Sequence, residues 1–229
     1  MASVAPAQEN PGTCPTSARL KLYSCWSSSC AWRVRIALNL KGLPYEYIAV
    51  NLRQGEQFSE EFTKLNPRQL VPTLVDGDNI ISDSFAILLY LEDKYPEHPL
   101  LPDDLRLKAI SLQASAIVGS NIQPLQADGL TKMVEKKVGP EERLSWGRLF
   151  IEKGFTALEI LLKDSAGKYS VGDQITLADI FLVPQVFNGA RRFNVDMLKF
   201  PTLDRINRTL EELPEFQAAL PERTPDAKA

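Results

Sequence analysis

The chain has 229 residues, 44% hydrophobic and 24% charged, with 12 glycines, a composition that fills real cores and excludes wholesale disorder. Lys and Arg number 26 against 29 Asp and Glu, a net charge of −3, which offers no general attraction to phosphate backbones or anionic lipid and makes nucleic acid an unfavoured partner. The longest unbroken apolar run, residues 85–91, is seven residues, where a membrane span needs about 20. Three cysteines, Cys14, Cys25 and Cys30, cannot close an even disulfide framework and fit a reducing compartment. The single histidine, His98, excludes His-cluster metal sites, and no metal is expected. Residues 1–18, rich in Ala, Pro, Ser and Thr, lack an apolar signal region and read as a flexible tail, so the cytoplasm is the expected compartment.

From residue 19 to about 95, strand-like and helix-like segments alternate. Residues 20–23 form a short apolar strand, followed by a Ser/Cys-rich turn over 24–30. Over 31–41, Val34, Ala37, Leu38 and Lys41 fall at helical spacing, with Gly42 where a helix ends. Residues 45–50 are aromatic and β-branched, a second strand, and 51–69 is a polar stretch broken by Pro67. Residues 71–75, the turn 76–79 and Ile80-Ile81 read as an antiparallel hairpin. Ser82-Asp83-Ser84 caps a helix reaching about Lys94, with Phe85, Leu88 and Leu89 on one face. The order βαβ-ββα predicts a small mixed sheet with helices packed on it, an α/β domain over 19–95.

Pro96, Pro99 and Pro102 mark a linker over 96–104. Beyond it, apolar stripes at Ile110, Ala114, Ile117 and Asn121, at Ile151, Phe155, Leu158 and Leu162, and at Leu177, Ile180, Phe181 and Pro184 predict an all-α domain over 105–221. Gly129 and Gly139-Pro140 punctuate it, Pro184 is expected to kink or break its helix, and a last helix is expected over 202–213. Residues 222–229 read as a loose tail.

Chemistry concentrates at two helix starts. Ser27-Ser28-Ser29-Cys30 precedes the first helix; small hydroxyl residues there serve as ordinary caps, or else the free N–H groups and partial positive charge stabilise an anion such as a thiolate. In the second case a serine hydroxyl donates to a bound thiolate, or Cys30 is itself the thiolate, and spacing does not separate the two. Asp83-Ser84 begins another helix and is either a cap or a carboxylate site, with Asp83 facing a ligand ammonium. A cis Val71-Pro72 bond would hold the Val71 main chain outward for an extended ligand; an ordinary edge proline is the alternative. A peptide with a thiol at one end and an α-amino acid at the other satisfies both helix starts. Thr176-Leu177-Ala178-Asp179 reads as a purely structural capping box. Arg191-Arg192 is solvated surface or a lure for an acidic substrate.

These pieces, in this order and over nearly all of residues 20–221, resemble a cytosolic glutathione transferase. Ser28-Ser29-Cys30-Ala31-Trp32-Arg33, followed by Val34-Arg35-Ile36-Ala37-Leu38, is similar to the signature of the zeta class, whose members include maleylacetoacetate isomerase. Asn66-Pro67, Val71-Pro72, Asp83-Ser84, Ile122-Gln123-Pro124-Leu125-Gln126 and Val171-Gly172-Asp173 match in place. The resemblance implies a thioredoxin-like N-terminal domain, an all-helical C-terminal domain and a homodimer. It implies glutathione on Ser28, Ser29, Cys30, Ala31, Trp32, Arg33, Gln57, Val71, Asp83, Ser84 and Gln123, with Ser28 and Cys30 as the catalytic pair and Ser29 and Arg192 toward a small acidic electrophile. The implied reaction adds the glutathione thiolate to a cis-dienone such as maleylacetoacetate, allows rotation and eliminates the thiolate to leave fumarylacetoacetate, a step of tyrosine and phenylalanine catabolism. Dehalogenation of small α-halo acids is a second implied activity. Ala127-Asp128-Gly129 departs from the Asn-Leu-Ser often found there in the class, at the second-domain contacts. Two rival readings keep the same fold: a thiol–disulfide oxidoreductase using Cys30, and a non-catalytic glutathione-binding module.

Overall fold

A computed structural model describes residues 20–227. Cys14 and the expected tail over 1–18 lie outside the described residues. The N-terminal half contains β1 (Leu20–Ser24), α1 (Ser29–Leu40), β2 (Tyr45–Ala49), α2 (Glu60–Leu65), β3 (Thr73–Asp76), β4 (Asn79–Ser82) and α3 (Ser84–Lys94). The strands form one sheet in the order β2-β1-β3-β4, with β1 and β2 parallel and the other two pairings antiparallel. This is the thioredoxin-like βαβ-ββα arrangement. In β1 the even positions Leu20, Leu22 and Ser24 are buried while Lys21 faces solvent, the alternation of a strand with one face on a core.

The α1 helix is buried around most of its girth, from Ala31 to Leu38, because the sheet lies on one side and the second domain on the other. It ends with Lys41 as C-cap, and Gly42 one position later takes φ +64°, a conformation glycine adopts without a side-chain clash. The stretch over 51–69, read as polar and irregular, holds a 3₁₀ turn (Glu56–Phe58) and the short helix α2. Ser59 caps α2, and Phe62 is its single buried side chain, too little apolar material to produce a periodic signal.

The second half is helical: α4 (Leu105–Ala116), a π-helical segment (Ile117–Ile122), α5 (Gln123–Gln126), α6 (Asp128–Val138), α7 (Pro140–Leu162), α8 (Leu177–Arg192), α9 (Pro201–Glu211) and α10 (Pro214–Ala218). The π segment shifts the helical register, so Val118 and Ile122 are buried and Asn121, expected on the apolar stripe, is exposed. Gly129 lies inside α6 and does not interrupt it, whereas Gly139, at φ +112°, separates α6 from α7. Gly154 lets α7 lie against the π segment: a Cβ there would sit 2.3 Å from Ile122 side-chain atoms. Pro184 does not end α8, which runs on to Arg192; its buried flanks are held by neighbouring helices, so one missing N–H does not break the element. The last long helix begins at Pro201 rather than Thr202 and stops at Glu211.

The two halves share one core. Trp32 meets Phe187 of α8 edge-on at 5.2 Å, and Arg33 stacks 4.3 Å over Phe181 of α8. Lys41 ties the end of α1 to α3 and to the proline-rich connection: its buried ammonium pairs with Glu92 at 2.9 Å and donates to the carbonyls of Tyr95 and His98. Glu92 also accepts from the main-chain N–H groups of Leu100 and Leu101, fixing the proline-rich connection. The C-terminal segment, read as loose, forms a 3₁₀ turn at Pro221–Arg223, and Asp226 is hydrogen-bonded to Trp26 and Tyr47, because its carboxylate meets two donors there.

Candidate active site

Ser28 stands at the end of the turn that follows β1. Its main chain is extended (φ −81°, ψ 113°), its N–H donates to the Cys25 carbonyl at 3.0 Å, and its hydroxyl accepts from the Ala31 N–H at 3.2 Å. It is the N-cap of α1, the bland reading of this serine. The hydroxyl proton is not used by that bond, so Ser28 can cap the helix and donate outward at the same time. Ser29 is buried; Cys30, next on the helix, is half-buried, and Cys30 and Cys25 are free thiols. The Cys25 sulfur lies 3.5 Å from the Ser27 hydroxyl. No acidic side chain occupies the first turn of α1, so its partial positive charge is uncompensated from within.

Ala31, Trp32 and Arg33 are buried on the first turns of α1. The Trp32 indole N–H and two of the Arg33 guanidinium nitrogens, Nε and Nη2, have no hydrogen-bond partner among the described residues. Burial depresses the Arg33 pKa, opposed by the proximity of Cys30 and Asp83, which favour its charge. Arg33 Nη1 donates to the buried Ser84 hydroxyl at 3.2 Å, which brings the first turn of α3 to the first turns of α1.

Asp83 is the N-cap of α3, and Oδ1 accepts from the N–H groups of Phe85 at 2.8 Å and Ala86 at 3.3 Å. Its φ of +77° is unusual for a non-glycine residue, and the side chain is exposed at the helix start. The Val71–Pro72 bond is cis, the first of the two alternatives the sequence leaves open. The main chain of buried Val71 makes no hydrogen bond among the described residues. Asn66, buried, holds the preceding loop by donating to the Leu70 carbonyl at 2.7 Å and the Thr73 hydroxyl at 3.1 Å. Gln57 sits in the 3₁₀ turn; its Oε1 is buried without a partner and its Nε2 reaches the Leu52 carbonyl at 3.4 Å. Gln123, half-buried, opens α5 directly after the π segment.

Arg192 is not free. Its Nη2 lies 2.6 Å from Asp128 Oδ1, in the Ala127-Asp128-Gly129 segment, and Arg143 flanks the same carboxylate at 3.7 Å. Arg191 instead lies 4.8 Å over the Phe187 ring, which packs against Trp32, and makes no ion pair among the described residues. Two grooves of about 410 and 270 Å³ are lined by none of these candidate residues.

Two helix starts whose free N–H groups and partial positive charge favour anions, and an unpaired main-chain segment at Val71, suit an extended peptide with a thiol. The unpartnered polar groups of Gln57 and Trp32 add buried hydrogen-bonding capacity beside it. Family models for the glutathione S-transferase N-terminal domain and C-terminal domain match residues 27–94 and 132–223. The chain belongs to the glutathione S-transferases. It is 55% identical over 213 residues to a zeta-class glutathione S-transferase of Euphorbia esula, covering 93% of this chain and 95% of that one. It is 48% identical to the maleylacetoacetate isomerase of Mus musculus, covering 91% and 95%. Among solved structures, the maleylacetoacetate isomerase of Anaeromyxobacter dehalogenans with glutathione bound in its active site superposes with a TM-score of 0.84 at 46% identity, over 91% of this chain and 98% of that one. Another structure of that isomerase holds dicarboxyethyl glutathione and citrate in the active site. This transferase is therefore a zeta-class, isomerase-type enzyme of a glutathione-using family. Among its described residues no helix is long and apolar enough to cross a membrane, and no cluster of potential metal ligands occurs.

Three features that shape the site escaped the sequence reading. Asn66 was visible only as half of an Asn-Pro pair. Phe181, under Arg33, reads in sequence as ordinary core. The reciprocal amide pair Gln126–Gln185, at 2.8 and 3.1 Å, is buried between α5 and α8 and leaves no local signal.

Proposed function

We propose that the enzyme isomerises maleylacetoacetate to fumarylacetoacetate with glutathione as its thiol. The observation that carries this reading is Ser28, whose extended main chain and cap bond leave the hydroxyl proton free at the start of α1. When bound, glutathione supplies the sulfur nucleophile that adds to the cis-dienone and leaves after rotation. The chain's own work is electrostatic and positional. The Ser28 hydroxyl donates to the sulfur, and the α1 start favours its negative charge; lowering a thiol pKa by one unit corresponds to about 1.4 kcal/mol, which these two groups together can supply.

Val71 offers its main chain to the cysteinyl residue. Ser84 and the α3 start hold the γ-glutamyl carboxylate, Asp83 faces its ammonium, and Ser29, Ala31, Trp32, Arg33, Gln57 and Gln123 complete the binding shelf. Cys30 stands beside Ser28 as a tuning group and not as the nucleophile, because a half-buried thiol with no resolving partner at the right spacing is poorly arranged for repeated disulfide exchange. Arg192 receives a carboxylate of the acidic substrate. Citrate and a dicarboxyethyl adduct in the active site of the Anaeromyxobacter isomerase support an acidic substrate class. The same reading places the enzyme in the cytoplasm as a homodimer, in tyrosine and phenylalanine catabolism, with α-halo acids as secondary substrates for dehalogenation.

Turnover of maleylacetoacetate with and without glutathione tests the reaction, and two variants test the nucleophile. Ser28→Ala should depress turnover strongly near neutral pH and recover part of it at higher pH, while Cys30→Ala keeps substantial activity. An inactive Cys30→Ala enzyme, with mixed disulfides accumulating on the wild type, would support the thiol–disulfide reading instead.

A further inference from the structure

The C-terminal segment reaches back to the turn that carries Ser28. One carboxylate oxygen of Asp226 accepts from the Trp26 main-chain N–H at 2.9 Å, and the other accepts from the Tyr47 hydroxyl at 2.7 Å. A second link lies beside the first. Arg35, buried in α1, donates Nε to the Ala219 carbonyl at 3.3 Å and Nη1 to the Ser24 hydroxyl at 3.2 Å and the Cys25 carbonyl at 3.4 Å. That same Cys25 carbonyl accepts the N–H of Ser28. The turn between β1 and α1 is thus gripped at Trp26 and Cys25 by groups anchored on a segment about 200 positions further along the chain.

We propose that Asp226 is a positioning residue for the thiolate site, holding the 24–28 turn through the Trp26 main chain so that the Ser28 hydroxyl keeps its aim. The proposal rests on the reading of Ser28 as the sulfur's hydrogen-bond donor. A catalytic donor must be held within about 0.5 Å of its productive position by supports of its own. The turn is pinned at its ends by the Ser24 ladder and the Ser28 bonds that open α1; between them its fixed points are the Ser28–Cys25 bond, the Cys25–Ser27 contact, Arg35 and Asp226. A carboxylate accepting two hydrogen bonds is a stronger anchor than a neutral acceptor. Removing its charge leaves the Trp26 N–H with a weaker partner while the cap of α1 and the core beneath it remain.

The test compares Asp226→Asn, Asp226→Glu and Tyr47→Phe in the full chain, with the exposed Glu222→Gln as a control on the same segment. Amide hydrogen exchange of peptides covering 24–30, without ligand, should accelerate roughly ten-fold in Asp226→Asn while exchange in α7 and α9 stays unchanged. The value of kcat should fall roughly five-fold, with KM for the acidic substrate unchanged, and Asp226→Glu should restore most of it. Tyr47→Phe, which removes one of the two bonds, should lie between. Unchanged exchange in the turn, or faster exchange with kcat intact, overturns the proposal. Full activity of Ser28→Ala overturns the underlying reading, and is distinguishable because it leaves the effect of Asp226 on exchange untouched.

Discussion

Arg33 and Ser84 are joined by a 3.2 Å hydrogen bond, so one buried guanidinium ties the start of α1 to the start of α3. The two ends proposed for the thiol and the γ-glutamyl group are therefore set at a fixed separation by a side chain that neither helix needs for its own fold. The guanidinium lies over Phe181, and with two nitrogens unpartnered it is under-satisfied for a buried charge. Replacing such a group by an apolar side chain of similar volume is often neutral for stability. Arg33→Met should accordingly melt within a few degrees of the wild type yet bind glutathione roughly ten-fold more weakly, by calorimetry, as Ser84 loses its tether.

Asp83 carries two jobs that one substitution can separate. Asparagine tolerates positive φ and still accepts from the N–H groups of Phe85 and Ala86, so Asp83→Asn should keep the melting temperature and lose about 1–3 kcal/mol of glutathione binding by removing the charge. Asp83→Ala should lose binding and about 1 kcal/mol of stability together. Equal affinities of wild type and Asp83→Asn would remove Asp83 from the ammonium site.

Asp128 sits where a substrate carboxylate would have to go to reach Arg192. The pair is solvent-accessible, with side chains 40% and 56% exposed, and exposed pairs contribute only about 0–1 kcal/mol, so an acidic substrate can displace it. Asp128→Asn should lower KM for maleylacetoacetate a few-fold at unchanged kcat, and Arg192→Ala should raise it. Steady-state kinetics of both variants in low and moderate salt check this, because the gain from Asp128→Asn should shrink as salt rises.

The capping box at α8 is a matter of stability alone. Asp179, fully buried, accepts from the N–H groups of Ser170 and Thr176, both at 2.8 Å, and from the Thr176 hydroxyl at 3.2 Å. Thr176→Ala should cost about 1 kcal/mol. Asp179→Ala strands three buried donors and should cost about 3–4 kcal/mol. Denaturant unfolding gives both values, and glutathione affinity of the folded fraction should not change.

Asp76 makes stability depend on acid. Burial alone would raise its pKa, but hydrogen bonds from Lys94, Tyr95 and Tyr90 outweigh burial and hold it below the usual carboxylate value. A depressed carboxyl contributes stability that is present above its unfolded pKa of about 3.9 and is lost as pH falls through the lower folded value. Melting temperatures of wild type and Asp76→Asn should therefore differ near neutral pH and converge as pH falls through the depressed folded value.

The order of elements in the first half and the helical character of the second were legible because their signals are local. Alternation in β1, the turn residues between β3 and β4, and stripes such as Ile151, Phe155, Leu158 and Leu162 each follow from neighbours in the chain. The helix starts at Ser28 and Asp83 were legible for the same reason, since caps are short-range. What escaped was long-range or register-shifting. The π segment moved Asn121 off its stripe, α2 has one buried side chain, and the ties from Asp226 and Arg192 depend on partners far away in sequence. Pro184 misled because a propensity rule was overridden by burial on nearly every side.

Lys41 gives the molecule a consequence beyond its packing. Its ammonium is held by the Glu92 carboxylate and by carbonyls of Tyr95 and His98, so the proline-rich connection leaves the first half along a path that Lys41 fixes. A fragment ending there would keep that ion pair but bare the face of Trp32 that Phe187 covers. The thioredoxin-like half, which can be drawn as a separate unit on paper, is in physical terms an unfinished object that the helical half completes.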